Sequence, residues 1–142
     1  MTVPLTREGD VLFSREYKHG AADVMLTLPA GFVEDGESPE EAARRELLEE
    51  TGYDGGTLEP LGSFMLVPSL SSVRGHFFLA RHPAKVAEPR LDEFERIEVV
   101  AIPLGEVKRD YRRSPRQYLV DVSSVLALGL AFDRLDCELP LG

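Results

Sequence analysis

Tryptophan is absent from this 142-residue chain, and Cys137 is the only cysteine. One thiol cannot form an intramolecular disulfide, and a lone cysteine argues against a thiolate metal site. Positive charge is scarce, with 16 Lys and Arg against 25 Asp and Glu and a formal net charge of −9. Phosphate backbones are gripped by Lys and Arg, so nucleic acid is not the expected main partner. An apolar run long enough to span a bilayer is missing, as is the charged-then-apolar pattern of a signal peptide. The expectation is a cytoplasmic protein with no membrane partner. His19, His76 and His82 are unclustered and read as surface or strand residues rather than metal ligands. Repeats, linkers and low-complexity segments are also lacking, and 43% hydrophobic residues are enough for one domain over 1–142 to bury a core.

What the chain has in abundance is carboxylate, concentrated in Gly31 to Tyr53, GFVEDGESPEEAARRELLEETGY. Ser38 is a good N-cap, Pro39 suits the first helical position, and Glu41 completes a capping box. Gly52 supplies a left-handed stop, so a helix is predicted over Pro39 to Thr51. At about 100° per residue, Glu46, Glu49 and Glu50 share one face. Such a face repels itself and calls for a cation. A hard divalent ion fits, since Mg²⁺ takes oxygen ligands and is held by a few carboxylates together with substrate phosphates. Arg45 can pair with Glu41 or Glu49 four residues away, orienting a carboxylate. Ala43, Leu47 and Leu48 form an opposite face for packing on a sheet. A charge run alone is most often a solvated helix face, but here the glycine loop, the Arg-Glu pair and the Glu-Glu pair come together.

Around this unit, apolar alternation predicts strands at Thr2 to Leu5, Val11 to Tyr17, Val24 to Leu28, Gly62 to Val67, Gly75 to Ala80 and Glu98 to Pro103. The first two form a hairpin turned at Arg7 to Asp10. Helical spacing of Tyr118, Leu119, Val122, Val125, Leu126 and Leu130 predicts a long helix over Pro115 to Leu135. The basic run Lys108 to Arg116 reads as a solvated connection before it, with contact to a phosphate or another subunit as the alternative. The expected class is α+β, a mixed sheet between helices.

The spacing Gly-x5-Glu-x7-Arg-Glu-Leu-x-Glu-Glu-x-Gly-Tyr matches the complete signature of the Nudix hydrolases, and the chain resembles that family over most of its length. Leu28-Pro29-Ala30-Gly31-Phe32, Pro68 with the loop Pro68 to Ser72, Arg15 to Gly20, and Leu91 to Val100 resemble its ADP-ribose pyrophosphatase branch. Thr27 and Lys18 depart from that branch, which often has Glu and Arg there, and the branch's extra N-terminal strand region looks absent.

The resemblance implies an α/β/α sandwich and metal-dependent hydrolysis of a small nucleotide, with Mg²⁺ or Mn²⁺ as cofactor. It implies Glu46, Glu49 and Glu50 as metal ligands, with the Ala30 carbonyl adding another and Glu37 completing the outer part of the site. Arg45 orients the carboxylates, and Glu93 or Glu95, with Glu49 as the alternative, is the general base. Arg15, Lys18, Pro68, Ser69 and Ser71 are placed at the substrate. ADP-ribose or another nucleoside diphosphate sugar is the leading substrate class. A nucleoside triphosphate or dinucleoside polyphosphate hydrolase and a non-catalytic ADP-ribose sensor are the other readings. A homodimer, if formed, would use a surface other than the N-terminal region.

Overall fold

A computed structural model of the chain describes residues 1–90, 96–113, 119 and 121–137. The elements run β1 (Thr2–Leu5), β2 (Asp10–Lys18), β3 (Asp23–Thr27), α1 (Pro39–Thr51), β4 (Tyr53–Asp54), β5 (Thr57–Met65), β6 (Arg74–Arg81), β7 (Ala84–Lys85), β8 (Glu98–Pro103), α2 (Leu104–Tyr111) and α3 (Val122–Asp136). The main sheet is mixed. β1 lies parallel to β6 and antiparallel to β2, and β5 closes one edge antiparallel to β6. Ser14 of β2 pairs with Thr27 of β3 and with Val99 of β8, so these two strands flank β2 on opposite sides. β4 and β7 form a separate two-stranded ribbon.

Period-two alternation divides the core into two layers. Phe77 and Leu79 of β6 join Val3, Val11 and Phe13 under Ala127, Leu128 and Ala131 of α3. Their neighbours Phe78 and Ala80 point the other way, packing with Leu58 against Ala43 and Leu47 of α1. Helices therefore cover both faces, which is the expected sandwich. Ser124 near the start of α3 accepts a hydrogen bond from Leu28 N at 3.1 Å, tying that helix to the chain entering the glycine loop.

Helix α1 has the bounds its caps dictate. Ser38 Oγ accepts from Glu41 N at 3.2 Å, and Glu41 Oε2 accepts from Ser38 N at 2.8 Å. Gly52 ends the helix at φ 75°, its N–H donating to Leu48 O. The β1–β2 turn also forms as read, with Gly9 at φ 91° and Thr6 N donating to Asp10 O.

Three expectations need correction. β5 begins at Thr57 rather than Gly62, because Pro60 sits beside a bulge on an edge strand, where a missing N–H is tolerated. The basic run is not a plain connection over its described part. Leu104, Val107 and Tyr111 fall at helical spacing in α2, Val107 is buried, and Lys108 bonds Asp136 at 2.7 Å. The last helix starts at Val122, capped by Asp121, which accepts from Ser124 N at 2.8 Å. Arg116 and the other residues of 114–118 lie outside the described residues.

The caps make a graded prediction for chemical denaturation. Ser38→Ala should lower stability by about 1 kcal/mol, the usual value of an N-cap. Gly52→Ala should cost more, since it combines a left-handed backbone with a Cβ 2.1 Å from Ala87 O.

Candidate active site

The loop between β3 and α1 folds on itself before it meets the helix. Glu34 N donates to Glu37 Oε2 at 3.1 Å, and Glu37 N to Glu34 O at 3.1 Å. Arg45 then reaches back from α1 and fastens the loop. Its Nε and Nη2 grip both oxygens of Glu37 at 2.9 and 3.0 Å, while Nη2 also donates to Phe32 O at 2.9 Å. Nη1 donates to Glu46 at 2.8 Å and Glu49 at 3.2 Å. Glu37 holds the Arg45 guanidinium firmly protonated, with Glu46 next in effect. In return, the Arg45 hydrogen bond is the main cause holding the Glu37 carboxyl below its ordinary value. Of the partners the sequence offered to Arg45, Glu49 is taken, whereas Glu41 serves the capping box.

Gly31 is required by close approach. A Cβ there would lie 1.9 Å from Glu46 Oε1, so the carboxylate occupies the space a side chain would need. Beside Glu46 runs a cleft of about 180 Å³, with Phe32, Val33, Leu66 and Val73 among its walls.

Glu50 lies in a different environment from Glu46 and Glu49. One helical turn past Glu46, it falls on the buried side of α1 with Leu47 and Thr51. Ser14 Oγ donates to its Oε2 at 2.6 Å, and Ala30 N donates to its Oε1 at 3.3 Å. Burial pushes its carboxyl up to about 7, against the opposing pull of the Ser14 and Ala30 hydrogen bonds; the charges of Glu16 and Glu46 add to the rise. The single acidic face therefore divides. Glu46 and Glu49 attend Arg45, Glu50 turns to β2, and no three such groups converge on one point among the described residues.

The donors nonetheless fit a hard divalent cation. All are oxygens, Glu46 and Glu50 are one turn apart, and the Ala30 backbone already touches Glu50. Arg15 and Lys18 are placed differently from one another. Ser14 and Lys18 alternate onto one face of β2, while Arg15 emerges on the other and pairs with Glu98 at 3.2 Å. Lys18 pairs with Glu16. Pro68, Ser69 and Ser71 lie exposed beyond β5, where Ser71 N donates to Val67 O. Glu93 and Glu95 lie outside the described residues. Ser14 was missed by the sequence reading; its one signal is a small polar residue directly after the apolar run Val11 to Phe13.

A mixed sheet between helices, with a glycine loop feeding an acidic helix locked by one arginine, defines an α+β domain built around an all-oxygen site. Residues 1–121 match the family described as NUDIX domain, and the chain belongs to that family. An ADP-ribose pyrophosphatase of Bacillus subtilis is 36% identical over 72% of this chain and 56% of its own length. An ADP-sugar pyrophosphatase of Mus musculus is 34% identical over 85% of this chain and 58% of its own. The chain thus spans little more than half of these relatives. Among solved structures, one described as an ADP compounds hydrolase superposes with a TM-score of 0.80 at 28% identity, covering 96% of this chain and 71% of that one.

The Glu50 environment predicts how stability varies with pH in chelator. Its folded value, about 7, exceeds the ordinary 4.5, so the folded state binds more protons between these values. Stability should decline as pH rises through that window, by ~3 kcal/mol for a shift of this size. Glu50→Gln should remove most of this decline in urea titrations at pH 4.5 and 8.

Proposed function

We propose that this chain is a divalent-cation-dependent pyrophosphohydrolase that cleaves ADP-ribose or a related nucleoside diphosphate sugar into a nucleoside monophosphate and a sugar phosphate. The observation that carries the reading is the arrangement of Glu37, Glu46 and Glu49 around Arg45, with Glu50 one turn past Glu46 against Ala30, on a helix that Gly31 allows to meet its loop without a clash. The names of the two curated relatives support the substrate class.

In this reading Glu46, Glu49, Glu50 and the Ala30 carbonyl would hold Mg²⁺ or Mn²⁺. Such a cation would neutralise diphosphate oxygens and make a water easier to deprotonate. It also explains how a chain of net charge −9 admits an anionic substrate. Arg45 keeps Glu46 and Glu49 aimed together, and its grip on Glu37 and Phe32 O fixes the loop that carries Ala30. Glu93 or Glu95 would accept the proton from water, with Glu49, whose side chain is 42% exposed, as the alternative. Pro68, Ser69 and Ser71 would meet the substrate from the loop beyond β5.

The test is a Mg²⁺-dependent screen of ADP-ribose, other sugar nucleotides, dinucleoside polyphosphates and nucleoside triphosphates. ADP-ribose or a sugar nucleotide should be the best substrate, with Glu50→Gln reducing turnover by at least about tenfold. Absence of metal-dependent turnover would reject the enzyme, and preference for triphosphates would reject the substrate class. Glu93→Gln and Glu95→Gln, compared in parallel, assign the base to whichever loses at least about 10²-fold, the range expected for general-base loss, and undiminished turnover in both places the base elsewhere.

A further inference from the structure

Ser14 belongs to no element of the glycine-loop-helix unit, yet it touches that unit at its most buried carboxylate. It is fully buried, and its hydroxyl donates to Glu50 Oε2 at 2.6 Å across a separation of 36 residues. β2 holds it rigidly, since Ser14 is paired on one side with Thr27 and on the other with Val99. The second oxygen of Glu50 is held by Ala30 N. Both donors are neutral. In contrast, Glu46 and Glu49 share a guanidinium, which offsets their charge and occupies the space between them.

We infer that Ser14 is a positioning residue that presents Glu50, held by neutral hydrogen-bond donors alone, as the anchor for the divalent cation. The inference rests on the proposed function for the existence of that cation and adds a residue that the loop-helix unit does not contain. A hydroxyl suits the role because it orients a carboxylate through one oxygen while leaving further lone pairs on both oxygens. Lys or Arg at position 14 would orient it equally well but would compete with the cation. An apolar residue would leave a buried carboxylate short of a donor.

The experiment compares Ser14→Ala, Ser14→Thr and Ser14→Val in the full chain, measuring the Mn²⁺ dissociation constant from the paramagnetic resonance signal of free Mn²⁺. Thr and Val have nearly the same shape and differ at the hydroxyl, so their comparison removes packing from the result. Ala and Val should weaken Mn²⁺ binding by about tenfold or more, the effect expected when a partner of a metal ligand is lost, whereas Thr should stay near wild type. Equal Mn²⁺ affinity in Thr and Val overturns the assignment. Should the larger residues prevent folding, as thermal melting in chelator would reveal, Ala decides: wild-type affinity in Ser14→Ala overturns the assignment equally. Failure of the proposed function reads differently. Wild-type chain that binds Mn²⁺ but cleaves no diphosphate rejects the enzyme and leaves the Ser14 result standing, while wild-type chain that binds no Mn²⁺ rejects both.

Discussion

Four carboxylates, Glu37, Glu46, Glu49 and Glu50, lie within one loop and three helical turns, and Arg45 is the charge that makes this arrangement compatible with a folded helix. Its guanidinium spends both edges on Glu37, Glu46 and Glu49 and takes the Phe32 carbonyl besides. Without it, like charges one turn apart would oppose α1. With it, the loop is fixed to the helix and the carboxylates acquire defined directions. The remainder of the fold serves this unit: the sheet supports α1 through Ala43 and Leu47, and α3 holds the incoming chain through Ser124.

That organisation creates a division of labour among the acids. Glu46 and Glu49 lie beside a fixed cation near solvent, and Glu50 sits between α1 and β2 with neutral donors only. Burial disfavours its charge, so Glu50 has the most to gain from a cation. Under the proposed function, a divalent ion at Glu50 would offset that desolvation, because binding and folding share the same free energy.

Much of this was legible in the sequence, and the parts that were not have identifiable causes. Local chemistry fixed α1 at both ends, since the Ser38–Glu41 box and the left-handed Gly52 act within a few residues. Six strands were visible as apolar alternation, although Pro60 hid the first half of β5 by mimicking a breaker at an edge where proline is tolerated. Helix α2 was masked by its own charge, because Lys108 and Arg109 obscured the Leu104, Val107 and Tyr111 stripe. At the site, four-residue spacing indicated that Arg45 could pair with Glu49. Spacing did not indicate that Glu50 turns inward, because that depends on Ser14 being brought across the sheet from a distant part of the chain.

The most direct test of the account is anomalous diffraction from crystals of the chain grown with Mn²⁺. The account predicts an anomalous peak within coordination distance of Glu50 and Glu46, with Glu46 drawn off Arg45 while the Arg45 grip on Glu37 persists. A crystal containing bound Mn²⁺ only at other residues, with Glu50 still closed on Ser14 and Ala30 and Glu46 still on Arg45, would contradict it.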